Sequence, residues 1–264
     1  MRIALSIAGS DPTGGAGLQA DLQVFRALGV HGAGVVTALT VQDTLKVHRV
    51  LPAFPSVVLD QIRMLVRDLP PDAVKLGMLA SDDVVRSVAH GLSEIDRVAP
   101  DVPLVIDPVL AASDGTPLLE RRAIATLLGL FPRAWLVTPN LAEAASLTER
   151  DASTREGAEA AARALVGELG ARAALVTGGH REGPPDDLLA WRSGEGVALR
   201  WLAGERIEGG PVHGTGCALA AAATAGLARG LSLEEAVAGA RRFVADALRR
   251  AEAVGAGARL LVFG

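Results

Sequence analysis

Short runs of apolar, β-prone residues recur along this chain and alternate with amphipathic segments. Several runs are almost continuous in Val, Ile and Leu, which is typical of parallel strands that helices cover on both faces. This alternation predicts an α/β fold with a mainly parallel sheet. The predicted strands cover residues 2–8, 33–39, 73–78, 104–106, 135–137, 173–176, 188–191 and 197–201.

Two of the amphipathic segments begin with a recognisable helix-start signal. Ser153 with Glu156, and Ser232 with Glu235, have the spacing of a capping box. We therefore expect a helix to follow each serine, and the second helix to run over residues 233–253.

The last two apolar runs are separated by only a few turn-forming residues, at 193–196 (SGEG). Such spacing predicts an antiparallel hairpin near a sheet edge. No linker, low-complexity tract or internal repeat divides the sequence, so we expect residues 1–264 to form a single domain.

Composition excludes several classes of protein. The formal net charge is -4, aromatic residues make up 3% and tyrosine is absent, which argues against a nucleic-acid binder. A single cysteine forms no intramolecular disulfide, and the five histidines lack metal-ligand spacing. The opening apolar run is short for a signal peptide, and no run reaches the roughly 20 residues of a membrane span. We expect a cytoplasmic protein without a membrane partner.

Polar residues collect where the predicted strands end. Gly, Asp, Asn and Pro are ordinary turn residues, so any one of these loops is explained as a connection. Ligands of open parallel sheets bind outside the carboxyl ends of the strands, however, and six such loops on one edge favour a binding cleft. The six loops contain residues 10–11, 40–43, 77–78, 107–108, 138–140 and 177–180.

The segment Gly214-Thr215-Gly216-Cys217 directly precedes an alanine-rich helix. A helix N-terminus offers unpaired N–H groups and a partial positive charge to a phosphate or an oxyanion. The same field is expected to lower the pKa of the Cys217 thiol, which could then accept a proton. The alternative is a helix packed tightly on the sheet, with Cys217 as a small buried apolar residue.

Two more positions leave alternatives open. Asn140 and Glu143 share a helical face and offer oxygen ligands that suit Mg²⁺, but the same pair can form a capping box. Asp21, one turn into the first helix, either reaches a polar ligand or is a solvated helix residue. The glycine-rich turn at residues 14–17 lacks the G-x-G-x-x-G spacing of a dinucleotide site.

Together these residues make the chain resemble a hydroxymethylpyrimidine/phosphomethylpyrimidine kinase of the ribokinase-like superfamily. The resemblance covers nearly the whole chain. It is carried by residues 8–22 (AGSDPTGGAGLQADL), 37–44 (TALTVQDT), 75–79 (KLGML), 107–109 (DPV), 138–144 (TPNLAEA) and 213–217 (HGTGC). It implies a three-layer α/β/α sandwich around a mostly parallel sheet with a short antiparallel edge hairpin.

The resemblance also implies roles for individual residues. Catalysis would fall to Gly214, Thr215, Gly216 and Cys217, with the Cys217 thiol as base and the neighbouring amides stabilising the transferring phosphoryl group. The pyrimidine substrate would contact Gly9, Ala16, Asp21, Gln42, Met78 and Val109. ATP and its phosphates would contact Asp107, Asn140, Thr177, Gly179 and His213. Mg²⁺ would lie at Asn140 and Glu143, and a homodimer is compatible with the family.

Three departures from the family pattern are visible. Thr177 stands where a lysine is common, which puts the second phosphorylation in doubt, and Ala218 stands where a threonine is common. The tail at residues 255–264 lacks the usual Gly-Pro and His ending, so we expect altered packing on the nucleotide side. The alternatives are a pyridoxal or pyridoxine kinase on the same scaffold, and a non-catalytic protein that binds a pyrimidine or a nucleotide.

Overall fold

The structure, a computed structural model, describes residues 1–179, 184–194 and 196–263. His180, in the last predicted loop, and Glu195, in the predicted hairpin turn, lie outside the described residues. The strands are β1 (Ile3–Ser10), β2 (His31–Gln42), β3 (Val47–Pro52), β4 (Ala73–Leu76), β5 (Leu104–Ile106), β6 (Leu136–Val137), β7 (Ala173–Val176), β8 (Asp187–Ser193), β9 (Gly196–Leu202), β10 (Val212–His213) and β11 (Arg259–Leu260). The helices are α1 (Gly17–Ala27), α2 (Pro55–Asp68), α3 (Asp82–Val98), α4 (Ala123–Leu128), α5 (Leu141–Thr148), α6 (Arg155–Gly167), α7 (Thr215–Ala228) and α8 (Leu233–Arg249), with a turn of 3₁₀ helix at Phe131–Arg133.

Strands β1 to β9 form one sheet in the order β3-β2-β1-β4-β5-β6-β7-β8-β9. The strands from β2 to β7 in this order run parallel, and β8 and β9 form the predicted antiparallel hairpin at one edge. The predicted α/β fold with a mostly parallel sheet is confirmed. Strand β3, antiparallel to β2 at the other edge, was not predicted. Its sequence (VHRVLP) is too polar for a buried strand, and most of its residues are exposed.

Helices cover both faces of the sheet, as a three-layer sandwich requires. The core on one face draws its residues from α2 to α6, and the core on the other face from α1, α7 and α8. Helix α7 is buried from Ala218 to Ala228. Its alanines let the helix axis come close to the strands, which brings the start of α7 to the middle of the sheet.

Only one of the two predicted capping boxes forms. Ser232 and Glu235 make both hydrogen bonds of a capping box, and the helix that follows ends at Arg249, four residues short of the predicted 253. The prediction for Ser153 was wrong, because Thr154 is the N-cap and its Oγ1 accepts from the Gly157 N–H at 3.0 Å. Ser153 instead belongs to a turn in which its N–H donates to Asp151 at 2.9 Å. No helix in the described part of the chain is both long and apolar enough to span a membrane.

Candidate active site

The polar loops predicted to line a cleft do meet at one edge of the sheet. Just beyond the strand ends, backbone hydrogen bonds extend the parallel pairing: Gly77 donates to Ile7 and Asp107 donates to Leu76, at 3.0 and 2.9 Å. Asn140 and Thr177 are likewise joined by a parallel bridge. Neighbouring strands therefore deliver their polar residues side by side.

The start of α7 lies against the loop that follows β1. Gly214, the N-cap of α7, has a φ of +82° and provides no side-chain cap to the helix. A side chain at Gly214 would collide with the backbone carbonyl of Gly15. The first N–H groups of α7 are thus left for a ligand, and glycine at both positions allows the two loops to touch.

A buried lysine lies beneath this helix start. The Lys75 ammonium group, in the middle of β4, forms an ion pair of 2.9 Å with Asp21, and both side chains are fully buried. Ser6 Oγ donates to the same Asp21 oxygen at 2.6 Å. Burial by itself would lower the pKa of Lys75, but Asp21, Cys217 and Asp107 outweigh that effect and raise it, so the lysine stays charged.

Asp21 is therefore not the solvated helix residue considered above. Its second oxygen, Oδ1, is buried and has no hydrogen-bond partner within the described residues. Its side chain is committed to Lys75 and Ser6 on one side, and contact of Asp21 with a substrate stays a prediction.

The Cys217 thiol lies beside Lys75 and two carboxyl groups. Burial raises its pKa to about 12; Lys75 lowers the pKa in part, and Asp107 and Asp21 raise it further. The expected lowering by the helix N-terminus was wrong, because desolvation and two nearby carboxyl groups outweigh the helix field. Cys217 is a neutral thiol at pH 7, and it donates a hydrogen bond to Asp107.

Asp107 and Glu143 form a pair of buried acidic groups. Burial raises the pKa of Asp107 to about 6, against the opposing effects of Lys75 and the Cys217 thiol. Burial and the neighbouring Asp107 raise the pKa of Glu143 to about 7. The capping box of Asn140 and Glu143 is confirmed, since each side chain accepts from the other residue's backbone N–H at 2.9 Å.

This acidic pair suits one partly hydrated cation. No group of three or more metal-ligating side chains occurs among the described residues. However, Asp107 Oδ2 is buried without a hydrogen-bond partner in the described chain, and Asp107 destabilises the charged form of Glu143. Mg²⁺ binds through one or two carboxylates and keeps much of its water, so these residues fit it.

The predicted pyrimidine contacts include a small apolar cluster. Met78 is buried, and a side chain at Gly9 would come within 2.9 Å of its sulfur. Val109 packs on the cluster formed by Met78 with Ala38 and Ala80. The structure thus brings Gly9, Met78 and Val109 together, as expected of a pocket wall.

His213 was predicted to contact ATP. It lies beside Asp11 and beside Gln42, which was predicted to contact the pyrimidine. Its Nε2 atom is 3.0 Å from Asp11 and 3.0 Å from the Gln42 amide. The C-terminal tail packs here too, since β11 pairs with β10 and Ala258 donates to the Thr44 carbonyl at 2.9 Å. The tail therefore contacts the Thr44 loop and β10, and its Phe263 ring stacks on Phe243 of α8.

The loop after β7 holds the remaining predicted nucleotide contacts. Thr177 lies next to Asn140, and Gly179 is exposed. The Gly178 N–H donates to Asp187 at 3.0 Å, and Asp187 in turn accepts from Arg241 at 2.7 Å. Sequence reasoning did not single out Asp187 or Arg241, because their partners come together only in the folded sheet.

Lys75 is the most informative residue that sequence reasoning passed over. It lies in residues 75–79, one of the segments that carry the family resemblance, but the resemblance implies no role for its charge. The available signal was a lone lysine inside an otherwise apolar strand, Ala73–Leu76, since lysine is almost never fully buried unless it is paired.

The sheet is mostly parallel and lies between helix layers, and a glycine-rich helix start lies above the buried Lys75 ammonium group. These features define the class of ribokinase-like kinases. The family model described as phosphomethylpyrimidine kinase matches residues 11–261, and the chain belongs to this family.

Individual relatives agree with this assignment. A hydroxymethylpyrimidine/phosphomethylpyrimidine kinase of Rhizobium meliloti is 43% identical over 251 residues, which cover 95% of this chain and 91% of the relative. The thiamine biosynthesis bifunctional protein ThiED of Geobacter sulfurreducens is 42% identical over 96% of this chain and 50% of its own length. An ADP complex of Bacillus subtilis pyridoxal kinase superposes with a TM-score of 0.88 at 29% identity, covering 100% of this chain and 97% of that one.

Proposed function

We propose that this kinase transfers the γ-phosphoryl group of ATP to the hydroxymethyl group of 4-amino-5-hydroxymethyl-2-methylpyrimidine, and then phosphorylates the monophosphate, in thiamine biosynthesis. The names of its relatives support this reaction. The observation that carries the proposal is the Cys217 thiol, held between Lys75 and Asp107 at the start of α7.

A proton relay follows from the arrangement of these groups. With a pKa of about 6, Asp107 is mostly ionised at pH 7 and accepts from the Cys217 thiol. We infer that the substrate hydroxyl proton passes to Sγ while the thiol proton passes to Asp107. The hydroxyl oxygen forms its bond to the γ-phosphorus as the bond from that phosphorus to the ADP oxygen breaks. Lys75 stays charged throughout and stabilises the anionic groups around it.

The amides at the start of α7 stabilise the phosphoryl group while it is transferred. Gly214, Thr215, Gly216 and Cys217 provide N–H groups that no side chain caps. Losing one such donor in an oxyanion hole costs on the order of 3 kcal/mol of barrier height, so the helix start is a large part of the catalysis.

The nucleotide is assigned to the neighbouring loops, with Asn140, Thr177 and Gly179 at its phosphates. Mg²⁺ would be held by Glu143 beside Asn140, the predicted pair, which leaves Asp107 to accept the proton from Cys217. When bound, the ion neutralises charge on the nucleotide phosphates. A lone cysteine and the use of ATP support a cytoplasmic location.

The proposal is tested with the wild-type protein, ATP, MgCl₂ and the hydroxymethylpyrimidine, with ³¹P NMR of the products. We expect the monophosphate first and the diphosphate later. Formation of the monophosphate alone would restrict the enzyme to the first step, and Thr177→Lys would then be tested for gain of the second. Absence of any phosphorylated pyrimidine would overturn the proposal.

A second candidate activity is phosphorylation of pyridoxal, which also carries a hydroxymethyl group on a six-membered ring. The observation that favours it is the likeness to the Bacillus subtilis pyridoxal kinase. The ratio of kcat/KM for the pyrimidine and for pyridoxal, measured in one assay, decides between the two activities. We expect the ratio to favour the pyrimidine.

We also propose a homodimer that forms through the β2–β3 edge of the sheet. Large apolar side chains are exposed there, with Phe54 at 80% and Leu39 at 55% exposure. An exposed apolar patch beside an unpaired strand edge is typical of an association surface. Light scattering after size exclusion should give twice the chain mass for the wild type and the chain mass for Phe54→Glu.

A further inference from the structure

Asp11 is a buried carboxylate that accepts hydrogen bonds from several sides. Its Oδ1 accepts from the Thr13 N–H at 2.9 Å, and its Oδ2 accepts from Thr13 Oγ1 and the Ala16 N–H, both at 2.9 Å. Burial raises the pKa of Asp11, but the hydrogen bonds from His213 and Thr13 outweigh burial and lower it below its ordinary value. Asp11 is therefore ionised at neutral pH and acts only as an acceptor.

The ionised Asp11 determines the state of His213. His213 Nε2 is 3.0 Å from Asp11 Oδ2, and a carboxylate oxygen accepts only from a nitrogen that carries a hydrogen. Nε2 of His213 is therefore protonated. Which ring nitrogen of a histidine bears the hydrogen is set by such a partner.

The protonated Nε2 in turn determines the orientation of Gln42. The Gln42 atom that lies 3.0 Å from the same Nε2 atom is assigned as the amide nitrogen. The nitrogen and oxygen of an amide have nearly the same size, so hydrogen bonding decides which of them faces the histidine. Two donors cannot pair, so hydrogen bonding requires the reverse assignment, with the Gln42 oxygen towards His213. The Gln42 NH₂ group is then left without a partner in the described chain.

We propose that Asp11, acting through His213, fixes the Gln42 amide with its NH₂ group available to the ligand, so that the pocket selects a heterocycle with a hydrogen-bond acceptor at that point. This inference rests on the proposed function, because the heterocycle is taken to be the aminopyrimidine, whose ring nitrogens are acceptors. Asp11 and His213 are positioning residues, and Gln42 is the residue that contacts the ligand.

Selectivity between two closely related ligands follows from this orientation. The 4-oxo counterpart of the substrate carries a ring N–H donor in place of an acceptor. A fixed NH₂ group that faces this N–H leaves two donors unpaired, which costs roughly ten- to a hundredfold in kcat/KM. An amide that is free to rotate can present its NH₂ group to a ring acceptor or its oxygen to a ring N–H, so it can bind both rings.

The first experiment tests the hydrogen-bond order without any substrate. Two-bond ¹H–¹⁵N spectra of the wild-type protein report which nitrogens of His213 are protonated, with His213→Ala to assign the signals. We expect Nε2 to be protonated. An unprotonated Nε2 would overturn the inference, whether or not the protein is a pyrimidine kinase.

The second experiment measures the ratio of kcat/KM for the amino and the oxo pyrimidine. We expect the wild type to favour the amino ring by roughly ten- to a hundredfold, and His213→Ala and Gln42→Glu to narrow that ratio. His48→Ala is the matched control, because His48 forms a similar 2.8 Å contact with Asp43 on the exposed surface. It should leave the ratio unchanged.

The outcomes separate this inference from the proposed function. An unchanged ratio in both Gln42→Glu and His213→Ala would overturn the inference while leaving the kinase activity in place. Failure of the wild type to phosphorylate either pyrimidine would overturn the proposed function, and the NMR result would still decide the order of the Asp11, His213 and Gln42 contacts. If His213→Ala does not fold, Gln42→Glu and the NMR measurement carry the test.

Discussion

Lys75 and Asp21 meet in an ion pair 2.9 Å long from which water is excluded, since neither side chain is exposed. The pair joins β4 to α1 directly below the start of α7. Taking both charges out of water is costly, and the pair compensates for that cost only while both partners are present. This relationship holds the Lys75 ammonium group in one place beneath the site and makes either partner expensive to remove alone.

We expect Lys75→Met to destabilise the fold by about 3–5 kcal/mol, because it leaves the buried Asp21 without its counter-ion. The double variant Lys75→Met, Asp21→Leu should recover much of that loss, since no lone charge is buried. Urea unfolding of the two variants and the wild type measures the difference. Equal stability of the single and double variants would contradict this account of the pair.

The Cys217 thiol should react slowly with alkylating reagents. With a pKa of about 12 it is ionised at pH 8 to about one part in ten thousand, whereas an ordinary thiol is ionised to about one part in four. We expect carbamidomethylation of the folded protein to be about a thousandfold slower than that of glutathione. Mass spectrometry over time measures the rate, and a rate equal to that of glutathione would contradict the raised pKa of Cys217.

Replacing Cys217 should lower turnover without unfolding the protein. Cys217→Ala removes the first proton acceptor, and general-base catalysis contributes about 10²–10⁴-fold to a rate. Cys217→Ser puts a hydroxyl group in place of the thiol, and this group can still pass a proton to Asp107. The loss of turnover should therefore be smaller in Cys217→Ser than in Cys217→Ala. The measurements are kcat with saturating ATP and the circular dichroism spectrum; an alanine variant with wild-type turnover would remove Cys217 from the mechanism.

The stability of the protein without ligands should fall as pH rises from about 5 to 8. Glu143 has a pKa of about 7 in the folded state, above its ordinary value of 4.5, so the folded state holds this proton more tightly. The stabilisation is complete below the unfolded pKa and is lost as pH rises through the folded one. It amounts to about 2–3 kcal/mol.

The matched variant is Glu143→Gln, which keeps an acceptor for the Asn140 N–H but has no proton to lose. Urea midpoints at pH 5.5 and pH 8, in buffer free of Mg²⁺ and ATP, should differ less for this variant than for the wild type. The same difference in both proteins would mean that Glu143 does not titrate in this range.

The corrected helix start before α6 gives a direct comparison of neighbouring hydroxyl groups. Thr154→Ala removes the side chain that caps the Gly157 N–H and should cost about 1 kcal/mol of stability. Ser153→Ala removes a hydroxyl with no capping role and should change stability by less than about 0.5 kcal/mol. Thermal unfolding of the two variants and the wild type measures both stability losses. A larger loss for Ser153→Ala than for Thr154→Ala would indicate that Ser153 is the N-cap.

Much of the fold could be predicted from local pattern alone. Buried parallel strands are continuous apolar runs, so β5 and β7 were predicted at their observed bounds. Strand β3 was missed because an edge strand with one solvated face has no such run. Whether Ser153 or Thr154 is the N-cap of α6 depends on the turn before the helix, and sequence spacing alone does not show that turn.

The position of Cys217 at a helix start was predicted, but the direction of its pKa shift was not. Spacing placed Cys217 at a helix start, where a lowered pKa is the ordinary expectation. The opposite shift arises from burial of the thiol and then from Asp107, which is 110 positions away in the chain and becomes a neighbour only through the sheet. The contacts of His213 with Asp11 and Gln42 were not predicted, because they depend on tertiary packing.

The contact between Gly15 and Gly214 joins the first loop of the chain to the start of its penultimate long helix. The first loop has no partner for this contact until Gly214 has been synthesised and α7 has docked on the sheet. We therefore expect a nascent chain that ends before Gly214 to bind neither nucleotide nor pyrimidine, because the amides at the start of α7 are not yet in place.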